Sequence, residues 1–292
     1  MQFTSHFDEY LEYLRQKGYT EESIKAKNRM LRGSLSHCSV ANKKIKDLRL
    51  TDIASVIESG RTHGRYGPQK AVLTFKSYLK YLSQLGVKLP FDWRDIETPK
   101  IPSREQSYLT EIELIKLLNS VPVDTFLELR ERVLLEILFS TGMRISEALS
   151  LEWEDINWGE KEAIIVSGKT GDERKIYFTN KCIRWLRRYK EYTSSFSNSN
   201  YIFINKKGEG PLDIKSAEGY LLKHQEEWDL EKHITFHSLR RTLATLLLEK
   251  QMEIQNVQLT IGWKSPRTIL RYYAIANQER AKITHQKLAN II

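Results

Sequence analysis

The chain has 292 residues, long enough for two domains, and its 40% hydrophobic and 28% charged residues exclude a disordered or fibrous protein. No apolar run reaches the ~18–20 residues of a membrane span, the N-terminus has no basic start followed by an apolar block, and two cysteines, Cys38 and Cys182, make neither a disulfide framework nor a metal site, so a reducing, cytoplasmic setting is expected. The net charge of +9 fits either simple solubility or a polyanionic partner. It is unevenly spread: residues 1–99 hold 17 Lys+Arg against 11 Asp+Glu, a net of +6, leaving +3 for the rest.

The N-terminal third reads as helical. Phe3, Phe7, Tyr10, Leu11 and Leu14 recur at helical spacing, Gly18 ends that run, and Thr20 opens the next as N-cap with two acids behind it. A third helix is predicted from Leu50 to Ser59 with Thr51 as cap, and a fourth over 69–85 with Val72, Phe75, Leu79 and Leu82 inward. Lys70, Lys76 and Lys80 lie on that fourth helix as a basic face, either solvated or set against a nucleic-acid backbone. The polar, proline-bearing stretch around 97–107 predicts a linker, with domains at 1–98 and 108–292 and the linker at 99–107.

After it, Thr110 and Glu113 have capping-box spacing, and helices follow to Asn119, from Thr125 to Ser140, and over 143–149. The period then changes. Residues 162–166 and 174–178 read as strands around the turn 167–172, and 201–204 as a further short strand. Helix is expected from Ser216 onward. The expected class is mainly α with a small antiparallel β-sheet in the second domain.

Chemistry-bearing residues are scattered through this second part. Arg144 follows a glycine turn at a helix start, where the macrodipole does not favour a cation, so it reads as held for an anion, with Glu147 three residues on to brace it. Lys169 sits in the hairpin turn between glycines. His237 and Arg240 share a helix face and offer a proton carrier and a bidentate phosphate clamp. Trp263 has one indole donor, and Tyr272 and Tyr273 carry hydroxyls able to attack phosphorus or rings able to pack. His233 and His237 lack a third ligand and any HExxH pattern, so no metal is expected. Taken singly, each of these residues also fits an ordinary surface or core role.

Their order is informative. The strings TGMRISEALSLEWEDI (141–156), VSGKTGDERK (166–175), FHSLRRTLATLLLE (236–249) and IGWKSPRTILRYY (261–273) resemble the tyrosine recombinase (phage integrase) family, of the two-domain Xer-like, transposon or phage type, over 107–280. The resemblance implies that Arg144 and Arg240 hold the scissile phosphate with His237 between them, that Lys169 is the general acid to the leaving 5′-oxygen, and that Glu147 supports the site. It further implies that Trp263 donates to phosphate where many members carry His, and that Tyr272, nine residues on, is the nucleophile. Arg241 stands where His is common.

On that resemblance, a helical core-binding domain and a catalytic domain form a C-shaped clamp on double-stranded DNA. The enzyme exchanges strands between two short core sites through a 3′-phosphotyrosine, without cofactor or metal. Expected partners are core-site DNA, further copies in a homotetramer on two sites, and accessory proteins, with no membrane. The hydrophobic tail residues Ile283, Leu288, Ile291 and Ile292 are expected to pack on a neighbouring protomer, the alternative being their own domain, and from the length no additional N-terminal arm-site-binding domain is expected. The rival readings are a type IB topoisomerase-like relaxing enzyme and a catalytically inactive sequence-specific DNA-binding protein.

Overall fold

The computed structural model describes residues 1–100, 108–166, 171, 173–225, 232–263 and 265–289. It divides into two compact units, Met1–Arg104 and Glu105–Ile292. Residues 101–107 of the predicted linker, and the side chains of Ile283, Leu288, Ile291 and Ile292 in the predicted tail contact, lie outside the described residues.

The first unit holds helices α1 (Phe7–Gln16), α2 (Glu21–Met30), α3 (Ile53–Gly60) and α4 (Gly67–Gln84). Phe3, Tyr10, Leu14, Val72, Phe75, Tyr78, Leu79 and Leu82 are at or near zero exposure, so the helical spacing seen in the sequence becomes one apolar core. Two buried hydroxyls are satisfied inside it: Tyr10 donates to Ser77 and Tyr78 to the carbonyl of Phe3, both at 2.7 Å. The end of α3 and the start of α4 meet at glycines. A Cβ on Gly67 would stand 1.9 Å from the carbonyl oxygen of Gly60, so no side chain fits there.

Three local expectations change. The first helix opens with a 3-10 turn, Phe3–His6. Thr51 is not a cap, because a 3-10 turn over Leu50–Asp52 precedes α3, and Asp52 accepts from the backbone N–H of Arg49 instead. Lys76 turns back to donate to the carbonyl of Ile96 at 2.6 Å, which takes its ammonium off the exposed face. Lys70 and Lys80 are exposed, Lys80 lying 5.5 Å over the ring of Trp93.

The second unit runs α5 (Glu111–Ser120), α6 (Phe126–Thr141), α7 (Ile145–Leu149), β1 (Ile156–Asn157), β2 (Glu162–Val166), β3 (Glu173–Tyr177), α8 (Asn180–Ser194), α9 (Ile214–His224), α10 (Phe236–Glu249), α11 (Ile254–Ile261) and α12 (Pro266–Ala289). Thr110 and Glu113 close a reciprocal capping box on α5, and Thr125 and Glu128 do the same on α6. α6 is buried nearly all round despite its charges, because Arg132 pairs with Glu136 and Arg130 with Glu131, each at 2.9 Å.

The sheet is antiparallel in the order β1-β2-β3, with Ala163 opposite Ile176 and Ile165 opposite Arg174. Residues 201–204 form only isolated bridges, to Glu152 and Pro211, rather than a sheet strand. α8 has no counterpart in the sequence reading. Its buried residues Cys182, Ile183, Leu186, Tyr189 and Thr193 carry the helical period but are interleaved with arginine and lysine.

Candidate active site

α10 supplies two of the candidate groups. Thr235 caps it through the Ser238 N–H at 3.1 Å, which sets His237 in the first turn and Arg240 one turn on. Arg240 is 5% exposed. Its Nη1 donates to the carbonyl of Gly142, and its Nη2 donates to that of Ile261 at 2.6 Å. Gly142 is the left-handed cap of α6 and Ile261 ends α11, so both acceptors are helix C-terminal carbonyls without an intrahelical partner. The negative ends of two helices thus hold one buried cation. Burial, then the guanidiniums of Arg144 and Arg174, pull its pKa down to about 9, which leaves it charged at neutral pH.

α7 supplies the next pair. Arg144, the residue before α7, gives its backbone N–H to Glu147 Oε2 at 2.8 Å and its Nη1 to Oε1 at 2.7 Å. Glu147 also accepts a bidentate pair from Arg174 of β3, at 3.1 and 2.6 Å. Burial alone would raise the Glu147 pKa; the Arg174 fork and the Arg144 N–H groups overcome it and hold the carboxyl at about 2. One carboxylate therefore braces two guanidiniums, and three arginines with one acid leave the centre net positive.

His237 keeps a solvent-exposed edge. Desolvation of the rest of its ring, then the guanidiniums of Arg241, Arg240 and Arg144, lower its pKa below 6.5, so the imidazole is neutral at pH 7. Trp263 follows Gly262, the left-handed cap of α11. The guanidinium of Arg240 lies 5.9 Å from the ring of Trp263, and the ring of Tyr272 stacks on Trp263 at 4.9 Å and 16°. Tyr272 is 5% exposed, and burial raises its pKa against the pull of Arg241, Arg271 and Arg240. Tyr273, one residue on, points to a different side of α12 and is 37% exposed.

The second unit thus holds two sets of directly contacting groups, Arg144 with Glu147 and Arg240 with Trp263 and Tyr272, and Arg144 and Glu147 lie within electrostatic reach of Arg240, as Arg144 and Arg240 do of His237. Lys169 lies outside the described residues. Arg174 escaped the sequence reading. The signal was there: it stands two residues before buried Ile176, hence on the inward register of its strand, where a cation needs a partner. Among the described residues no cluster of His, Cys, Asp or Glu could hold a metal ion, and no helix is long and apolar enough to cross a membrane.

Glu147 makes a specific contribution to stability. Its folded pKa of about 2 lies below the ordinary 4.5, so the contribution is present above 4.5 and is lost as pH falls through about 2. The size is roughly 3 kcal/mol. The expected result of Glu147→Gln is a less stable protein at neutral pH, with the difference from the parent narrowing through that acid window. Urea unfolding at a series of pH values measures it, and a difference that stays constant with pH would contradict the assignment.

A family model described as the phage integrase family matches residues 107–280. The chain is 30% identical over 262 residues to "Tyrosine recombinase XerD" of Listeria monocytogenes serotype 4b (strain F2365), covering 85% of this chain and 86% of that protein. It is 26% identical over 238 residues to "Tyrosine recombinase XerC" of Chlamydia pneumoniae, covering 80% and 75%. Among solved structures, the fold resembles the Tn1549 transposon integrase in complex with a circular intermediate DNA, with a TM-score of 0.78 at 18% identity over 96% of this chain and all of that one. It also resembles a lambda integrase dimer bound to a core site, with a TM-score of 0.75 at 20% identity over 94% and 95%. The chain belongs to the phage integrase family, and it is a tyrosine recombinase.

Proposed function

We propose that the chain is a cytoplasmic, site-specific DNA recombinase that cleaves and rejoins strands at two short core sites as a homotetramer. The carrying observation is Arg240, held by two helix C-terminal carbonyls, with Tyr272 stacked on the tryptophan that Arg240 overlies. A preorganised cation beside a buried phenol suits a reaction that builds negative charge on phosphorus.

In this reading Arg144 and Arg240 bind the non-bridging oxygens of the scissile phosphate, and the Trp263 indole N–H adds a donor. Tyr272 Oη attacks phosphorus while its proton passes to the neutral imidazole of His237. The bond from phosphorus to the 5′-oxygen breaks, and that oxygen takes a proton from Lys169. The product is a 3′-phosphotyrosyl link. One phosphodiester replaces another, so a 5′-hydroxyl from the partner strand reverses the same steps and completes the exchange without an external energy source. Lys70 and Lys80, exposed on α4, contact the DNA backbone of the same site, a contribution that weakens as salt rises.

The test uses a core site recovered from a randomised duplex pool by binding to the full chain. Two differently labelled copies are expected to yield recombinant product and, when nicked, a trapped covalent adduct. Relaxation of supercoils without exchange would point to a topoisomerase-like enzyme, and binding without adduct to an inactive DNA-binding protein.

A further inference from the structure

We propose that Arg174 is a positioning residue that keys strand β3 to the arginine centre and so supports the proton donation assigned to Lys169. The inference rests on the reading of Lys169 as general acid.

Arg174 joins three parts of the fold. It belongs to β3 and, with Ile165 opposite, forms the last inward-facing pair among the described residues before the hairpin turn. Its Nη1 and Nη2 grip Glu147, the same carboxylate that holds the backbone and guanidinium of Arg144. Its stem passes through a notch at Gly262. A Cβ on Gly262 would stand 2.6 Å from Cδ and Nε of Arg174, so the glycine is needed for this passage as well as for its φ of +72°. That notch lies between Ile261, whose carbonyl holds Arg240, and Trp263, on which Tyr272 stacks.

The Nε of Arg174 is buried without a hydrogen-bond partner. Its placement therefore leaves one donor unmet and rests on the fork of Nη1 and Nη2 on Glu147, a planar two-point contact that a lysine ammonium cannot reproduce. Lys169 precedes Arg174 by only five residues in the sequence. A tether at Arg174 thus limits how far the root of the hairpin can move relative to Arg144 and Arg240. Without it those arginines keep other partners: Arg240 its two carbonyls, and Arg144 its bonds to Glu147. The proton-donating step is the one left without support.

The chemistry offers a discriminating substrate. An oxygen leaving group needs a proton, whereas a 5′-bridging sulfur leaves as a thiolate without one, because a thiol is far more acidic than an alcohol. Adduct formation by the full chain is measured on nicked core-site duplexes carrying either atom, alongside DNA affinity and thermal melting.

On the oxygen substrate Arg174→Ala is expected to slow adduct formation by about 10²-fold, as loss of a positioned acid does, with unchanged DNA affinity. On the sulfur substrate most of that loss is recovered, as it is for Lys169→Ala, while Arg144→Ala stays slow on both. Arg174→Lys, which keeps the charge beside Glu147, falls between the parent and Arg174→Ala and carries the test should the alanine variant melt early. Equal slowing of the Arg174 variants on both substrates, or no slowing on either, overturns the proposal. If Lys169→Ala gains nothing from sulfur, the general-acid reading fails and the Arg174 proposal falls with it. If Lys169→Ala recovers and the Arg174 variants do not, only the latter is lost.

Discussion

The Tyr272→Phe chain is expected to bind its core site with unchanged affinity and to form no covalent adduct. Phenylalanine keeps the ring that stacks on Trp263 at 4.9 Å and packs among the buried residues of α10 and α12, so fold and DNA affinity persist. Only the hydroxyl is lost. Removing a nucleophile that acts in concert with its neighbours costs on the order of 10⁴–10⁶ in rate. A nicked duplex that traps the adduct, resolved on a denaturing gel, reads this directly. Tyr273 is the control: it is 37% exposed and one residue round the helix, and Tyr273→Phe is expected to retain the adduct. The reverse pattern would move the nucleophile to Tyr273.

Arg240→Ala is expected to show two separable losses. Two buried carbonyls, those of Gly142 and Ile261, lose their donor, which destabilises the protein by about 2–4 kcal/mol. Cleavage slows by a further 10²–10³-fold or so, the effect of removing one preorganised donor to a developing anion. Arg240→Lys keeps the charge but cannot span both carbonyls, so it recovers part of the rate and little of the stability. Burial first, and then a positive charge from Arg144 and Arg174 that Glu147 does not cancel, depress the Arg240 pKa to about 9. Orthovanadate or sulfate, standing in for the scissile phosphate, should raise the melting temperature of the parent and not of Arg240→Ala. An equal rise in both would place the anion elsewhere.

Much of the helical framework was legible because its signals are local. The inward set of α4 is written at helical spacing, and the capping box of Thr110 with Glu113 spans one turn. The β2–β3 hairpin showed as two short β-rich runs around glycines. Where local signals competed, reading failed. The apolar stripe of α8 is diluted by Arg184, Arg187, Arg188 and Lys190. Residues 201–204 have strand composition, yet pair with Glu152 and Pro211 only as single bridges. Lys76 looked like its neighbours on α4 until the chain returned to put the Ile96 carbonyl beside it.

The same division holds at the site. By itself the sequence determined which groups are present and how they are spaced on their own elements: His237 and Arg240 on one face of α10, Arg144 before α7, and Tyr272 nine residues beyond Trp263. It could not say what holds them. Arg240 takes its acceptors from residues 98 and 21 positions away. Arg174 reaches Glu147 across 27. Spacing along a helix or strand follows from backbone geometry within a few residues. A partner for a buried charge depends on which distant carbonyl or carboxylate the packed fold brings within 3 Å or so, and only the tertiary structure decides that.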